Sequence, residues 1–153
     1  MEDLQIRIGS DEDLDLLATL NKQLIEDEQH DNPMNVEQLR ERMKGFIHSD
    51  YKAYLFEKGS QTIGYALVDH VKKPFYVRHF FICRDERRKG YGKTAWKRIL
   101  EMVKTETVDI EVMAWNERGI GFWRSLGFKD RSVYMRFDKK QEQREKDGDG
   151  NRR

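Results

Sequence analysis

A helix flanked by two strand-like segments constrains the fold of this chain more than any other feature. The segment from Phe75 to Cys83 is rich in aromatic and β-branched residues, and a stripe of apolar residues with helical period follows over residues 93–104. A second strand-like run begins at Val108. Strands joined through such a helix lie parallel in one sheet, because only a crossover returns the chain to the same end of the sheet. The chain therefore requires at least one parallel pair of strands.

Other segments predict further strands and helices around this crossover. Alternation predicts a strand from Leu4 to Ile8, and two helices follow, the first opened by Ser10 with Asp13 and the second by Asn35 with Gln38. The remaining expected elements are strands at 51–56, 62–71, 108–114 and 128–137 and a short helix after Asn116. The order β-α-α-β-β-β-α-β-α-β predicts a mixed α/β sheet.

The composition excludes several classes of protein. The 29 Lys and Arg nearly balance the 28 Asp and Glu, which argues against an overall basic nucleic-acid binder. Uninterrupted apolar runs are far shorter than the ~20 residues that a membrane helix needs. The single Cys83 cannot form an internal disulfide, and the scattered histidines argue against a metal site. The N-terminal residues have no apolar signal-peptide core, so we expect a cytoplasmic protein without nucleic-acid or membrane partners.

Charge also divides the chain along its length. Residues 138–153 contain no apolar side chain, and 11 of these 16 residues are charged. Such a segment has no surface to bury in a core. We therefore expect one domain over residues 1–137 and a charged, disordered tail over residues 138–153.

The entry to the crossover helix, residues 84–94, contains five basic residues and two glycines. Glycines allow several backbone N–H groups to point toward one spot, and a helix N-terminus attracts anions. The segment is therefore either an anion site or a solvated basic turn. A Walker A loop is excluded because Arg87 occupies its first glycine position. A dinucleotide-binding turn at Gly90, Gly92 and Ala95 stays open, although charged residues separate it from the preceding strand.

Two motifs carry a resemblance to a known family. Arg87, Gly90 and Gly92 form the pattern R-x-x-G-x-G, which is preceded by a strand that ends in the aliphatic Ile82. About 25 residues further on, a second motif consists of Asn116, Gly119, Phe122, Trp123, Leu126, Gly127 and Phe128. With both motifs the chain resembles the GNAT superfamily of N-acetyltransferases over essentially residues 4–137. The resemblance implies three layers and a mostly antiparallel sheet, with the fourth and fifth strands parallel.

The resemblance also implies that acetyl-CoA binds at the basic turn. Backbone groups near Ile82 and Cys83 would line the pantetheine arm, and Asn116 would hydrogen-bond the cofactor. Converging N–H groups and positive charge suit a pyrophosphate. The residues so assigned in the turn are Arg87, Arg88, Lys89, Gly90, Tyr91, Gly92, Lys93 and Thr94.

The family's chemistry implies direct attack of a neutral amine on the thioester. The tyrosine that often serves the family as general acid is Trp123 here, and an indole N–H is too weak an acid for this role. Trp123 is expected either to pack or to form a wall beside the thioester. Three alternatives for the acid stay open: water, another hydroxyl such as that of Tyr134, or no acid at all, because a thiolate is a fair leaving group. His79 on the fourth strand is the candidate general base, because an ordinary histidine pKa of about 6.5 suits proton removal near neutral pH. The alternative for His79 is a core or edge residue.

Four acidic residues lie between Glu26 and Asp31, where the first predicted helix ends. Acidic groups at a helix C-terminus oppose the helix dipole. In the GNAT fold this region flanks the acceptor site. We therefore predict that Glu26 and Glu28 bind a cationic acceptor. The acceptor is an amine-bearing small molecule, or a lysine side chain or N-terminus of a protein. The alternative is that these acidic residues form a solvated helix end without a binding role.

The leading functional prediction is an acetyl-CoA-dependent N-acetyltransferase, acting as a monomer or a homodimer. A non-catalytic acyl-CoA-binding regulatory domain is one alternative, and it is favoured by Trp123 in place of the tyrosine. A nicotinamide-dependent enzyme that uses the glycines of the turn is the other.

Overall fold

The computed structural model describes residues 3–140, in which strands and helices follow the predicted order as far as the last helix. These are β1 (Leu4–Ile8), α1 (Leu14–Asp27), α2 (Val36–Ile47), β2 (Tyr51–Lys58), β3 (Gln61–Asp69), β4 (Phe75–Ile82), α3 (Tyr91–Val103), β5 (Val108–Ile110) and α4 (Glu117–Ser125). Within residues 3–140, no helix has both the length and the apolar composition that crossing a membrane requires. Residues 141–153, which are most of the tail predicted at 138–153, lie outside the described residues.

The helix starts follow the capping signals of the sequence. At the start of α2, the Asn35 side chain accepts a hydrogen bond from the Gln38 N–H at 2.9 Å, and the Gln38 side chain accepts one from the Asn35 N–H at 2.9 Å. Before α1, the Asp13 carboxylate accepts a hydrogen bond from the Ser10 N–H at 2.9 Å. Both capping boxes satisfy N–H groups that the helix itself leaves without partners.

The five strands form one sheet in the order β1-β2-β3-β4-β5. The pairs from β1 to β4 are antiparallel, and β4 and β5 are parallel, as the crossover through α3 requires. The predicted mixed α/β fold with one parallel pair is therefore confirmed. β5 pairs only with residues Phe75–Val77 of β4. Beyond Val77, β4 has no strand neighbour on its β5 side within the described residues, and the sheet opens there.

Helices cover both faces of the sheet, so the molecule has three layers. On one face, α1 and α2 pack Leu17, Leu24 and Met43 against strand residues such as Leu55 and Leu67. On the other face, α3 and α4 bury a second cluster. Its members include Phe56, Ala66, Trp96, Ile99 and Trp123. Alternate residues of the central strands face opposite layers, and both sets are buried because helices cover both faces of the sheet.

The strand predicted over residues 128–137 is wrong, and β5 ends at Ile110 rather than at residue 114. Val133, Met135 and Phe137 alternate with polar residues, yet all three are exposed. Alternation favours a strand only where a neighbouring strand supplies hydrogen bonds and a core covers one face. In the described structure the segment has neither, so it stays irregular.

Candidate active site

The turn before α3 presents an uncapped helix N-terminus. Gly90 occupies the N-cap position with a left-handed φ of 84°, a conformation that favours glycine. In the described part of the chain no side chain caps α3, and its first turn carries no acidic residue. The first N–H groups of a helix have no partner within the helix, and the dipole makes this end positive. The backbone here is therefore suited to an anion such as a pyrophosphate.

Two motif glycines allow close approaches that tie α4 to this turn. A Cβ atom at Gly92 would lie 3.2 Å from the Phe122 ring, so the absence of a side chain lets α4 pack on the start of α3. A Cβ atom at Gly119 would lie 2.4 Å from the Asn116 amide nitrogen. Because Gly119 has no Cβ, the Asn116 Oδ1 accepts a hydrogen bond from the Gly119 N–H at 3.0 Å and caps α4.

Arg87 is held by neighbouring elements rather than projecting from the turn. Its Nε donates a hydrogen bond to the Ile82 carbonyl oxygen at 2.8 Å, and its Nη2 donates to the Asp27 carboxylate at 2.6 Å. Arg84 also donates to Asp27, whose side chain is only 6% exposed. Desolvation opposes ionisation of Asp27, but the hydrogen bonds from the two arginines outweigh it and lower the Asp27 pKa. This double ion pair fixes the end of α1 against the turn.

Other basic side chains of the turn remain available to a ligand. Arg88 and Lys93 are exposed, and Lys89 lies 3.4 Å from Glu86. Arg118, in the first turn of α4, is also exposed; burial of part of its side chain, and then the charge of Arg87, lower its pKa. Sequence reasoning missed Arg118, since its neighbours in sequence give no sign that the start of α4 faces the turn. The contact that reveals it, the packing of Gly92 against Phe122 of α4, is present only in the folded chain.

The acidic end of α1 meets the start of α4 at the opening between β4 and β5. The Asn116 Nδ2 lies 3.4 Å from the Glu28 Oε1, and the Trp115 indole donates a hydrogen bond to the Glu28 carbonyl oxygen at 2.8 Å. The other Glu28 carboxylate oxygen lies 2.9 Å from His30 Nε2. Glu26 is exposed instead. Of the two predicted acceptor residues, the structure therefore brings Glu28, and not Glu26, into contact with Asn116.

His79 lies on the sheet face under α1 and α2, away from the basic turn. It is 9% exposed, and its Nδ1 lies 3.0 Å from the Tyr65 hydroxyl. Burial, and then the positive charges of Arg42, Arg78 and His30, lower the His79 pKa to about 3. An imidazole with this pKa is too weak a base to take a proton from an ammonium ion at neutral pH. These properties argue against His79 as the general base and favour the core alternative.

The backbone groups predicted to line the pantetheine arm are partly engaged. The Cys83 N–H donates to the Ile63 carbonyl oxygen at 2.8 Å, and the Ile82 carbonyl accepts from Arg87. Burial raises the pKa of the Cys83 thiol, so this cysteine is not an activated nucleophile. Between Val77 and Ile82, the side of β4 that faces away from β3 has no strand neighbour in the described structure and therefore offers the freer backbone edge for an extended ligand.

A family model described as an acetyltransferase (GNAT) domain matches residues 16–140. The chain belongs to the GNAT acetyltransferase family. No curated protein sequence matches it significantly.

Solved GNAT structures share the fold at low sequence identity. A predicted acetyltransferase with acetyl-CoA from Clostridium acetobutylicum is 14% identical, with a TM-score of 0.72 over 89% of this chain and 96% of that one. The aminoglycoside N-acetyltransferase AAC(6')-Iy in complex with CoA is 15% identical, with a TM-score of 0.70 over 91% and 96% of the two chains. A ribosomal-protein-alanine N-acetyltransferase from Brucella melitensis biovar Abortus 2308 is 16% identical, with a TM-score of 0.69 over 88% and 100%. At these identities the likeness establishes the fold.

Trp123, which replaces the tyrosine of the GNAT motif, is a core residue. It is 6% exposed, and its ring centroid lies between 4.9 and 5.1 Å from four neighbouring aromatic rings. These rings belong to Phe80, Trp96, Phe122 and Phe128. Edge-to-face packing of this kind stabilises the α4 layer and accounts for the indole without any catalytic role.

Tyr134, the candidate proton donor, lies on the irregular C-terminal segment. Its side chain is 80% exposed, and its hydroxyl accepts a hydrogen bond from Arg136 at 3.2 Å. Arg136 also lies 3.3 Å from Asp31 at the joint of α1 and α2. This geometry does not fix the Tyr134 hydroxyl beside Asn116.

Among residues 3–140, no group of His, Cys, Asp and Glu side chains is arranged to hold a metal ion.

Proposed function

We propose that this protein transfers an acetyl group from acetyl-CoA to a primary amine by direct attack. The observation that carries the proposal is the 3.4 Å approach of Asn116 to Glu28 at the opening of the sheet. It joins a residue of the GNAT cofactor motif to a carboxylate that suits an ammonium ion. Relatives of the same fold with bound acetyl-CoA or CoA support the choice of cofactor.

The groups around the turn fit coenzyme A. The N–H groups at the start of α3 would bind the pyrophosphate, with the exposed Arg88, Lys93 and Arg118 adding positive charge. Asp27 pairs with both Arg84 and Arg87 and offsets one of their two positive charges, so these arginines orient the turn more than they bind the ligand. When bound, acetyl-CoA supplies an activated acyl group and a thiolate leaving group. The β4 edge beyond Val77 would carry the donors for the developing oxyanion.

Glu28 is the proposed binding group for the acceptor amine. Its carboxylate is partly buried beside Asn116 and His30, so an ammonium ion there would exchange water for a charge-assisted hydrogen bond. The amine must lose a proton before it attacks, and Glu28 with His30 offers a short route for that proton to solvent. A thiolate is a fair leaving group, so the reaction does not require the general acid that Trp123 cannot supply.

Two measurements test the proposal. Acetyl-CoA should raise the midpoint temperature of thermal unfolding, whereas NAD should not. At a ligand concentration of about 1,000 times Kd, the added free energy of unfolding is about 4 kcal/mol. Addition of primary amines to the protein with acetyl-CoA should release free thiol. Stabilisation by NAD alone, or an absence of thiol release with every amine tested, would contradict the proposal.

A matched pair of variants tests the acceptor site. Glu28→Gln should raise the KM for the amine about tenfold or more, because one charge-assisted hydrogen bond is lost. Glu26→Gln changes the same charge two residues away on an exposed side chain and should leave the KM unchanged. Equal effects of the two substitutions would show that general electrostatic attraction, and not contact with Glu28, binds the amine.

The second candidate function is a non-catalytic acyl-CoA-binding domain. It is favoured by the buried Trp123 in place of the motif tyrosine. This candidate predicts thermal stabilisation by acetyl-CoA together with no thiol release. The nicotinamide alternative loses its basis, because a doubly wound dinucleotide fold has a mostly parallel sheet and β1 to β4 are antiparallel here.

A further inference from the structure

A β-bulge in β4 turns two successive side chains toward the same layer. Leu67 of β3 is opposite His79, but the next residue, Val68, is opposite Val77, so Arg78 is the extra residue. The Arg78 guanidinium lies 4.8 Å from the centre of the Phe46 ring on α2, and the His79 ring lies 6.3 Å from it. The bulge therefore turns the exposed Arg78 toward α2 rather than toward the α3 side.

A second arginine lies against the same ring. The Arg42 guanidinium of α2 is 5.4 Å from the Phe46 ring centre. Burial, and then the nearby charge of Arg78, lower the Arg42 pKa. Neither arginine forms an ion pair with an acidic side chain of residues 3–140, in contrast to Arg87. Two like charges in this position are unfavourable unless an anion accompanies them.

Buried donors next to Arg42 also lack acceptors. Asn21 of α1 is fully buried, and its Oδ1 accepts a hydrogen bond from Arg42 Nη2 at 3.3 Å. In the described structure the Arg42 Nε has no hydrogen-bond partner, and the Asn21 Nδ2, which carries two N–H groups, has none besides the Tyr65 hydroxyl. Native proteins satisfy nearly all buried polar groups, so donors left free at one place indicate a missing acceptor.

This cluster lies along α1 from the proposed amine site. Asn21 and Glu28 are seven residues apart, which puts them on the same face of the helix and about 10 Å apart along its axis. Burial raises the pKa of the Tyr65 hydroxyl, the charge of Arg42 opposes this rise and the charge of Glu28 adds to it. A ligand with its ammonium group at Glu28 could extend along this face toward Arg42.

We propose that Arg42, Arg78 and Asn21 bind an anionic group of the acceptor, which is therefore a small amine that also carries a carboxylate or a phosphate. The inference rests on the proposed function for its amine end. The anion would accept hydrogen bonds from the guanidinium groups and from the Asn21 amide, and it would offset the repulsion between the two arginines.

The test compares acceptors that differ only in the anionic group. Hexylamine, 6-aminohexanoate and 6-aminohexyl phosphate are supplied with acetyl-CoA, and kcat/KM is measured from thiol release. The expected result is a kcat/KM at least about tenfold higher for one or both of the anionic amines than for hexylamine, since such charged hydrogen bonds are strong. The better of the two identifies the anion as a carboxylate or a phosphate. Equal values for all three amines would overturn the inference.

Variants then locate the anion site. Arg78→Ala should remove the preference for the anionic amine, so that the variant turns over the anionic amine and hexylamine with equal kcat/KM, because the exposed Arg78 guanidinium no longer meets the anion. Lys97→Ala, on the exposed side of α3, removes one positive charge elsewhere and should keep the preference. Arg42→Gln is the second variant, with its folding checked by thermal unfolding. A uniform loss for all amines in Arg78→Ala would overturn the inference.

Binding of products separates this inference from the proposed function. By calorimetry, 6-acetamidohexanoate or 6-acetamidohexyl phosphate should bind the native protein at least about tenfold more tightly than N-hexylacetamide, and Arg78→Ala should abolish the difference. Such binding without thiol release would retain the anion site and reject the transferase. Thiol release without any anion preference would do the reverse.

Discussion

Acid should destabilise this protein through His79 before its carboxylates titrate. His79 is neutral and buried against Tyr65, with its pKa lowered to about 3, whereas in the unfolded chain a histidine has a pKa of about 6.5. Protonation therefore favours the unfolded chain. The stability of the folded state is fully present above pH 6.5 and falls as the pH drops toward 3.

The size of this effect follows from the separation of the two pKa values. Between them the unfolded chain binds about one more proton than the folded chain, which corresponds to about 1.4 kcal/mol per pH unit. From pH 7 to pH 5, His79 should therefore remove about 2 kcal/mol of stability. Carboxylates contribute mainly below this range, because their unfolded pKa values lie near 4.

Urea unfolding followed by tryptophan fluorescence at pH 7 and pH 5 measures this loss. In His79→Asn, which keeps a polar partner for Tyr65 but cannot be protonated, the loss between the two pH values should be about 2 kcal/mol smaller than in the native protein. The exposed His48 offers a control, and His48→Asn should retain the native loss. If His79→Asn lost as much stability as the native chain, the burial argument would be refuted. A pH–rate profile of His79→Asn that keeps its native midpoints would agree with a residue outside proton transfer.

Three further substitutions test the contacts that position the site. Asp27→Asn should lower the free energy of unfolding, measured in urea, by about 2–3 kcal/mol, because two hydrogen bonds to charged arginines weaken at a nearly buried site. The control Asp31→Asn, on an exposed side chain, should change it by well under 1 kcal/mol. Gly119→Ala places a Cβ 2.4 Å from the Asn116 amide nitrogen, so it should weaken the capping of α4 by about 1 kcal/mol and raise the KM for acetyl-CoA. An unchanged KM would show that Asn116 does not bind the cofactor. Trp123→Ala should lower the free energy of unfolding by about 3–5 kcal/mol. Trp123→Tyr should fold and show no gain in kcat. A large gain in kcat would show that a tyrosine at this position acts as the general acid.

Local signals in the sequence were enough to predict most of the elements. The Asn35 and Gln38 capping box, the apolar stripe of the crossover helix and the glycines of the turn act through neighbours close in sequence. The expected strand at 128–137 failed because a strand needs a partner, and its alternation carries no information about which edge is available. The shortening of β5 has the same cause and creates the opening at the proposed site.

The candidate site likewise has features that local sequence predicts and features that only the folded chain shows. The sequence by itself determined the basic turn before α3, the Asn116 motif and the excess of acid at the end of α1, because each is a run of neighbouring residues. Only the tertiary structure decided that Asp27 pairs with Arg87, that Glu28 rather than Glu26 meets Asn116, and that His79 is buried beside Arg42 and Arg78. Charge and burial at a residue depend on groups far away in the chain, and a pattern along the sequence does not record which of them the fold brings together.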